Sequence, residues 1–245
     1  AHTGGIWWED PEISSAVKGF VHRGGGLIGG VAFAVKQINP NCKVYGVQAA
    51  GAPSMQNALK VGKTEALASV STMADGIAVK QPGDLTFAMC QKYVDGVVTV
   101  TEDEIASAIL KLIEKHKMVA EGAGAVSVAA AMYNKVDIKG KKAVCVISGG
   151  NVDVNVLDRI IDKALQANGR ITKLSVMVMD KPGQLTQLLT AIAETGANIF
   201  SVNHDRMVQD IAVSTCIVDI VAETRNKEHS EQMIEAIKAK GFQVL

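Results

Sequence analysis

Five glycines fall within seven consecutive residues, in the run Gly24-Gly25-Gly26-Leu27-Ile28-Gly29-Gly30. Such a run can turn sharply and bring its backbone amides close to a bound group, because few side chains stand in the way. A short apolar stub (Phe20-Val21) precedes it, and a stretch of helical character, Val31 to Ile38, follows it. Strand, glycine loop and helix in this order are typical of a turn that binds an anion at a helix N-terminus. The run therefore predicts a phosphate-binding turn, with a merely tight strand-to-helix connection as the alternative.

The same run also satisfies the G-x-G-x-x-G spacing of dinucleotide-binding proteins, through Gly24, Gly26 and Gly29. That interpretation needs an acidic residue about 20 positions later, at the end of the next strand, to hold the ribose hydroxyls. The chain has Val47-Gln48-Ala49-Ala50 at that place, with no acid. A nicotinamide dinucleotide is therefore disfavoured.

Strand patterns alternate with helical patterns over the first two thirds of the chain. Strands are predicted at Lys43 to Val47, Val97 to Val100 and Ala143 to Ile147; the last is a continuous apolar run, as in a sheet covered on both faces. Thr101 to Glu104 spells a capping box, which predicts a helix with Ile105, Ile109, Leu112 and Ile113 on one buried face. The order predicts an α/β fold with a parallel sheet.

The pattern changes after Gly169, where Asn168-Gly169 predicts a helix stop. Strands are predicted at Ile171–Met179, Asn198–His204, Ile211–Val221 and Phe242–Leu245, and helices after Pro182-Gly183 and over Glu228–Lys240. This βαββαβ order is the ferredoxin-like split unit. We therefore predict two domains, residues 1–169 and residues 170–245.

Charge and cysteine content exclude several classes of protein. The 245 residues include 25 basic and 25 acidic side chains, so no basic excess favours nucleic acid. No apolar stretch is long enough to span a membrane, and the first residues do not resemble a signal peptide. Cys42, Cys90, Cys145 and Cys216 are too widely spaced for a clustered zinc site or a disulfide framework, which predicts buried thiols and a cytoplasmic protein.

Three further segments carry candidate site residues. Ser148 follows the predicted strand at Ala143–Ile147 and marks either a ligand site or a capped turn. Glu121 precedes a glycine-rich helix, where it acts either as a catalytic base or as a complement to the helix dipole, the latter favoured. The turn Asp180-Lys181-Pro182-Gly183-Gln184-Leu185, with Asn198 on a neighbouring strand, is either a carboxylate-binding helix start or a plain turn.

Taken together, these motifs resemble the C-terminal part of a threonine ammonia-lyase (threonine dehydratase) that carries an ACT domain. The matching segments are GGGLIGGVAFAVK, KVYGVQAAGAPSM, TMADGIAVKQPGDLTF, VTEDEIASAILKLIEKHKMVAEGAGAVSVAA and AVCVISGGN, in that order over Gly24 to Asn151. The segment ITKLSVMVMDKPGQL…GANIFSVNHDR resembles the ACT domain of that family.

The resemblance implies a fold-type II enzyme that uses pyridoxal 5′-phosphate and converts L-threonine to 2-oxobutanoate and ammonia. It implies that Gly24, Gly25, Gly26 and Leu27 hold the cofactor phosphate, that Ser148 faces the pyridine nitrogen, and that Glu121 lies near the ring. In the ACT domain it implies an amino-acid ligand at Asp180, Gly183, Gln184, Leu185 and Asn198, and association into homo-oligomers.

The chain also departs from the family pattern. The Schiff-base lysine of the family lies before the glycine loop in a Ser-Phe-Lys-x-Arg-Gly-Ala-like segment, and Lys18 does not match it. Arg23 stands where family members have another glycine. The divalent-cation residues of serine racemase fall on Gln48 and Ser54, so no metal site is expected.

Two functions follow from these observations. The first is a pyridoxal-phosphate threonine ammonia-lyase that needs the missing lysine segment from elsewhere and is inactive alone. The alternative is a non-catalytic protein that senses amino acids through its ACT domain and carries a degenerate lyase remnant.

Overall fold

The computed structural model describes residues 25–207 and 212–245. Gly24, Arg23, Lys18 and the Phe20-Val21 stub lie outside the described residues. The chain divides into two compact units, the first ending at Ile161 and the second formed by Asp162–Leu245. This division falls a little before the predicted boundary at residue 169, and the assignment of the parts as lyase and ACT domains stays a prediction.

From Gly25 onward, the first unit alternates helices with two short strands. Its elements are α1 (Gly26–Ile38), β1 (Tyr45–Ala49), α2 (Ser54–Val61), a 3-10 turn (Asp75–Ile77), α3 (Asp84–Tyr93), β2 (Gly96–Val100), α4 (Glu102–Lys111) with a π-helical turn (Leu112–His116), and α5 (Gly122–Met132). Strands β1 and β2 pair in parallel from Tyr45↔Gly96 to Ala49↔Val100. The predicted α/β fold with a parallel sheet is thereby confirmed.

The capping box that opens α4 is present. The Glu104 amide donates to Thr101 Oγ1 and the Thr101 amide donates to Glu104 Oε2, at 3.3 and 2.8 Å. Ile105 and Ile109 are fully buried on the predicted face of the helix. Helix α1 begins five residues earlier than predicted, inside the glycine run rather than after it.

The predicted strand at Ala143–Ile147 is wrong. The segment forms neither strand nor helix and pairs with no strand among the described residues, and Val144 is 82% exposed. It lies along α5 instead: the Ser127 hydroxyl donates to the Val146 carbonyl at 2.8 Å, and Cys145 Sγ lies 3.6 Å from the Ser127 carbonyl oxygen. A strand forms only where a neighbouring strand satisfies its backbone, so the apolar pattern alone was insufficient.

Asp95 ties together the ends of α1, β1 and β2. Its carboxylate accepts hydrogen bonds from Lys36 at 2.7 Å, from Lys43 at 2.9 Å and from the Val44 amide at 2.8 Å. Burial raises the pKa of Asp95, but these three donors outweigh it and hold that pKa well below its usual range. The ionised form is therefore the one that holds these three ends together.

The variant D95N tests this clamp. Losing a hydrogen-bonded charge should lower the free energy of unfolding by about 1.5–3 kcal/mol near neutral pH. Because the folded pKa is depressed, this contribution is complete above the unfolded pKa near ~3.9 and is lost as pH falls through the folded pKa. Urea unfolding at several pH values should show wild type and D95N converging as the pH falls below about 4.

Asp137 offers the matched control, because its ion pair with Lys141 is exposed on both sides. Removing it with D137N should change stability by about 0.5 kcal/mol or less. Equal losses in the two variants would contradict the role given to Asp95.

In its described residues, the second unit is a four-stranded antiparallel sheet with three helices, the first of which reaches back into the preceding unit. Its elements are α6 (Val154–Ala167), which begins before the division between the units, β3 (Ile171–Met179), α7 (Gln184–Glu194), β4 (Asn198–Asp205), β5 (Thr215–Glu223), α8 (Lys227–Ala239) and β6 (Gln243–Val244). The strand order β4-β5-β3-β6 is the ferredoxin-like arrangement that the sequence predicted.

The core of this unit follows the strand alternation. On β3 every second residue from Thr172 to Val178 is buried, and on β5 every second residue from Cys216 to Ala222. Leu188 and Ile192 of α7 cover this face, with Met233 and Ile237 of α8. Gly169, with φ of +66°, ends α6 as its left-handed stop.

The cysteines differ from one another in exposure. Cys90 and Cys216 are buried, Cys145 is half-buried and Cys42 is exposed, so the expectation of buried thiols is wrong for Cys42. Burial raises the pKa of the Cys90 thiol to about 11. Within the described ranges, no helix combines the length and the apolar character needed to cross a bilayer.

Candidate functional site

The loops that carry the predicted site residues of the first unit gather at one edge of its sheet. The Ala50 amide donates to the Val100 carbonyl at 2.8 Å, just beyond the last strand pair. The chain after β1 and the start of α4 therefore lie together at the carboxyl ends of the two strands. This edge is where ligands bind in open parallel sheets.

The start of α1 leaves backbone amides available. Gly25 caps the helix with φ of +110°, and a side chain there would place its Cβ 2.6 Å from Met55 Cε and 3.3 Å from Thr86 Cβ. The amides of Gly26, Leu27 and Ile28 have no acceptor inside the helix, because no residue of the helix lies four positions before them. Amides in this arrangement can bind an anion, and the predicted phosphate site at this turn stays a prediction.

The start of α5 brings two other loops together. Glu121 caps this helix, and its amide donates to the Gly149 carbonyl at 3.2 Å. A Cβ on Gly149, whose φ is +86°, would overlap Glu121 Oε1, and a Cβ on Gly124 would overlap the Ser148 carbonyl oxygen. Glu121 and Ser148, predicted separately as site residues, are thus neighbours.

A third segment, Thr72 to Ile77, packs on the same helix start. A Cβ on Gly122 would lie 2.9 Å from Ala74 Cα, and one on Gly76 would lie 3.4 Å from Glu121 Oε1. Glycines at these places allow backbone to pack directly on backbone. The Glu121 carboxylate lies between two glycine-containing loops.

Glu102 holds this segment in place. Its carboxylate accepts hydrogen bonds from Thr72 Oγ1 at 2.6 Å and from the Met73 amide at 2.8 Å. From the sequence, Glu102 has no predicted role beyond its place in the capping segment. Its position directly after a strand of the parallel sheet was the available signal, since that edge collects site residues.

Two polar groups remain available at this edge. The hydroxyl of half-buried Ser148 makes no hydrogen bond within residues 25–207 and 212–245. The Glu121 carboxylate likewise has no ion pair or side-chain hydrogen bond within those residues. Near a helix N-terminus, a hydroxyl can donate a hydrogen bond to an anionic group. A carboxylate there can accept a proton.

Comparison with known proteins agrees with this geometry. The family model described as "Pyridoxal-phosphate dependent enzyme" matches residues 20–149, which is just over half of the chain. The chain belongs to this family of pyridoxal-phosphate dependent enzymes. The match ends at Gly149, within the loop that packs on α5.

Relatives in this family carry a more specific name. An L-threonine ammonia-lyase of Thermotoga maritima is 51% identical over 221 residues, which are 90% of this chain and 55% of the relative. An L-threonine ammonia-lyase of Geobacter sulfurreducens is 43% identical over the same shares. The chain spans about half the length of the curated relatives it matches.

Solved structures of the family are similar to part of the chain. The processed form of threonine deaminase isoform 2 from Solanum lycopersicum matches with a TM-score of 0.54 and 40% identity, over 58% of this chain and 42% of that one. Maize serine racemase matches with a TM-score of 0.52 and 34% identity, over 59% and 45%. Both likenesses support the same α/β architecture.

The residues present fit the cofactor that the family implies. Gly25 lacks the side chain that would collide with Met55 and Thr86, and the α1 amides suit a phosphate. The uncommitted Ser148 hydroxyl suits a ring nitrogen, since it can donate or accept. Gly24 lies outside the described residues, so its predicted contact is a proposal only.

The second unit separates its predicted ligand residues into two groups. Gly183 caps α7 with φ of +90°, and Asp180, Gln184 and Leu185 lie beside it at the end of β3. Asn198 begins β4 and pairs with Glu223 at the opposite end of the sheet, where its side chain donates to Glu223 at 2.9 Å. Within one chain, Asn198 does not join the turn.

The variant G149A tests the packing at α5. Alanine there would collide with Glu121 and would also have to adopt a left-handed backbone. The left-handed backbone alone should cost about 1–2 kcal/mol of unfolding free energy, and we expect the collision to add to that cost. The matched control is G140A, at φ of +72° with open space around it, which should cost the conformational part alone. Urea denaturation measures both, and equal costs would contradict the close contact.

Proposed function

We propose that residues 25–151 form part of the active site of a pyridoxal-phosphate dependent threonine ammonia-lyase. The observation that supports this best is the direct packing of the Ser148–Gly149 loop on Glu121, at the sheet edge that also holds the α1 N-terminus. The names of the relatives supply the substrate, L-threonine, and the reaction, its deamination.

Each group has a distinct role in this proposal. Bound pyridoxal phosphate supplies an electron sink that stabilises negative charge at the substrate α-carbon. The amides of Gly26 and Leu27, with Gly24 and Gly25, bind its phosphate. The Ser148 hydroxyl pairs with its ring nitrogen without carrying a full charge, which moderates that sink.

Glu121 is a carboxylate held at the helix start near the ring. From there it holds or accepts a proton, and its negative charge also interacts favourably with the α5 dipole. Glu102 acts at a distance, by fixing Thr72 and Met73 and hence the loop against Glu121. A carboxylate base works only where neighbouring groups hold its geometry.

The covalent anchor is outside this set of residues. We propose that the lysine which binds the cofactor comes from a lyase segment beyond the matched half of the relatives, supplied by a longer parent or a partner chain. The 245 residues alone would then be inactive, and the protein would work in the cytoplasm as a homo-oligomer.

Cofactor binding can be tested without that lysine. Pyridoxine 5′-phosphate has the ring and the phosphate but no aldehyde to react with surface lysines. Calorimetry should show that it binds more tightly than pyridoxine, and that S148A weakens it about two- to tenfold, as for one neutral hydrogen bond. S201A, an exposed serine on β4, is the control and should bind as wild type. Equal binding of the two compounds would contradict the phosphate site.

Activity is tested by adding the missing part. Mixing the chain with the N-terminal part of the Thermotoga maritima relative and pyridoxal phosphate should release 2-oxobutanoate from L-threonine. The chain alone should release none. Activity of the chain alone would refute the need for an outside lysine, and an inactive mixture in which the two parts bind would refute the shared site.

A second function, amino-acid sensing through an ACT domain, is favoured by the ferredoxin-like sheet of the second unit. Because Asn198 lies about seven residues of strand, or ~23 Å, from the Asp180–Leu185 turn, a complete site would need Asn198 from a second copy. The proposed homo-oligomer would supply it. This sensing role alone, without catalysis by the first unit, is the alternative function of a non-catalytic amino-acid sensor.

Titration with branched-chain amino acids tests the sensing role. Isoleucine or valine should release heat and raise the melting temperature, and N198A should abolish both effects without preventing folding, because Asn198 is exposed. The exposed Asn203 on the same strand gives the control variant N203A, which should respond as wild type. Absence of heat and of any thermal shift would exclude these ligands.

A further inference from the structure

Three side chains of different donor type converge at one end of the second unit. Asp180, His204 and Cys216 each offer one ligand atom, and these atoms all lie within 4.8 Å of one another. Cys216 is 1% exposed, whereas Asp180 and His204 reach solvent. Spacing along the chain cannot show a cluster that a sheet assembles, so the sequence predicted no metal site.

The backbone fixes all three positions. His204 lies on β4 opposite Val218, and Cys216 lies two residues away on β5. Asp180 directly follows β3, and its amide donates to the Ser214 carbonyl at 2.9 Å. Donors placed by strand hydrogen bonds are better ordered than donors on loops.

The distances are close to those of a bound metal. His204 Nε2 lies 3.0 Å from Cys216 Sγ. Zn–S near 2.3 Å and Zn–N near 2.0 Å, at a tetrahedral angle, place the two atoms about 3.5 Å apart. A small rotation of the exposed His204 ring supplies the difference.

The outer contacts leave this site accessible. Cys216 Sγ also lies 3.4 Å from the Val178 carbonyl oxygen, which orients the thiol. Arg206 donates to Asp180 from Nε and Nη2, at 3.2 and 3.0 Å, and both bonds end on Oδ1. The second oxygen of Asp180 is therefore free of Arg206, whose own side chain is 65% exposed and can swing away.

We propose that Asp180, His204 and Cys216 form a three-ligand site for a borderline divalent metal such as Zn²⁺. Thiolate, imidazole and carboxylate are the ligands that zinc takes in proteins. Binding releases the thiol proton of Cys216 to solvent and forms the metal–sulfur bond, with no change of oxidation state. The fourth position, on the solvent side of His204 and Asp180, takes water or a ligand.

The probe is Co²⁺, because a Co²⁺–thiolate bond gives a near-ultraviolet charge-transfer band. The full chain, freed of metal by chelator, should bind one equivalent with this band, and Zn²⁺ should displace it. H204Q and D180N should each weaken binding at least about tenfold, since even an outer partner of a metal ligand costs that much. C216A should remove the band.

Control variants separate the site from other donors in the chain. D205N changes an acid beside His204 that is outside the cluster, and C42S removes the exposed thiol; both should bind as wild type. R206Q should tighten binding, because it removes the cation that competes for Asp180. Because His204 is exposed, H204Q reports on binding even if C216A fails to fold.

The outcomes are distinct. Zinc should raise the melting temperature of wild type and not that of H204Q. No thiolate band in wild type, or a band that survives in H204Q or C216A at wild-type affinity, would overturn the proposal. In that case the cluster is a Cys–His hydrogen bond beside an ion pair.

Discussion

Backbone-to-backbone packing at the start of α5 is the constraint on which the first unit depends. Gly122 and Gly124 present no side chain, so the Met73–Ala74 segment and the Ser148–Gly149 loop can lie directly against the helix. Gly76, beside the first segment, and Gly149, in the second, both lie next to the Glu121 carboxylate. These close approaches limit where the Glu121 side chain can lie, and a fixed position is what the proposed proton-accepting role of Glu121 would need.

The sequence was informative where local chemistry decides the structure. Thr101 and Glu104 satisfy one another's amides through contacts three residues apart, so the capping box was visible in the letters. The alternation on β3 was also visible, because a sheet with one covered face buries every second residue. Both features need only neighbours that lie close in the chain or one repeated pattern.

The sequence was misleading where the structure depends on residues that are distant in the chain. Ala143–Ile147 has the composition of a buried strand, yet Val144 is exposed, because no strand in the described ranges offers it backbone partners. Likewise the start of α1 inside the glycine run follows from the left-handed turn at Gly25, which a propensity argument against glycine would place outside the helix. The sequence pointed to Glu121 and Ser148 separately, and only the fold shows that the loop carrying Ser148 packs on the helix start that carries Glu121.

The same reasoning explains why the second unit gathers polar groups at one end. Strands β3 and β4 run in the same direction on either side of β5, so Asp180 and His204 arrive at the end where β5 begins. Residue Cys216 stands near that beginning, on the helix-covered face, and His204 shares this face through its pairing with Val218. Three residues spread over 37 positions of sequence thus meet because of strand direction and side-chain alternation alone. Their carboxylate, imidazole and thiol differ in charge and softness, and a borderline metal cation is the kind of group that can bind all three at once, as proposed above.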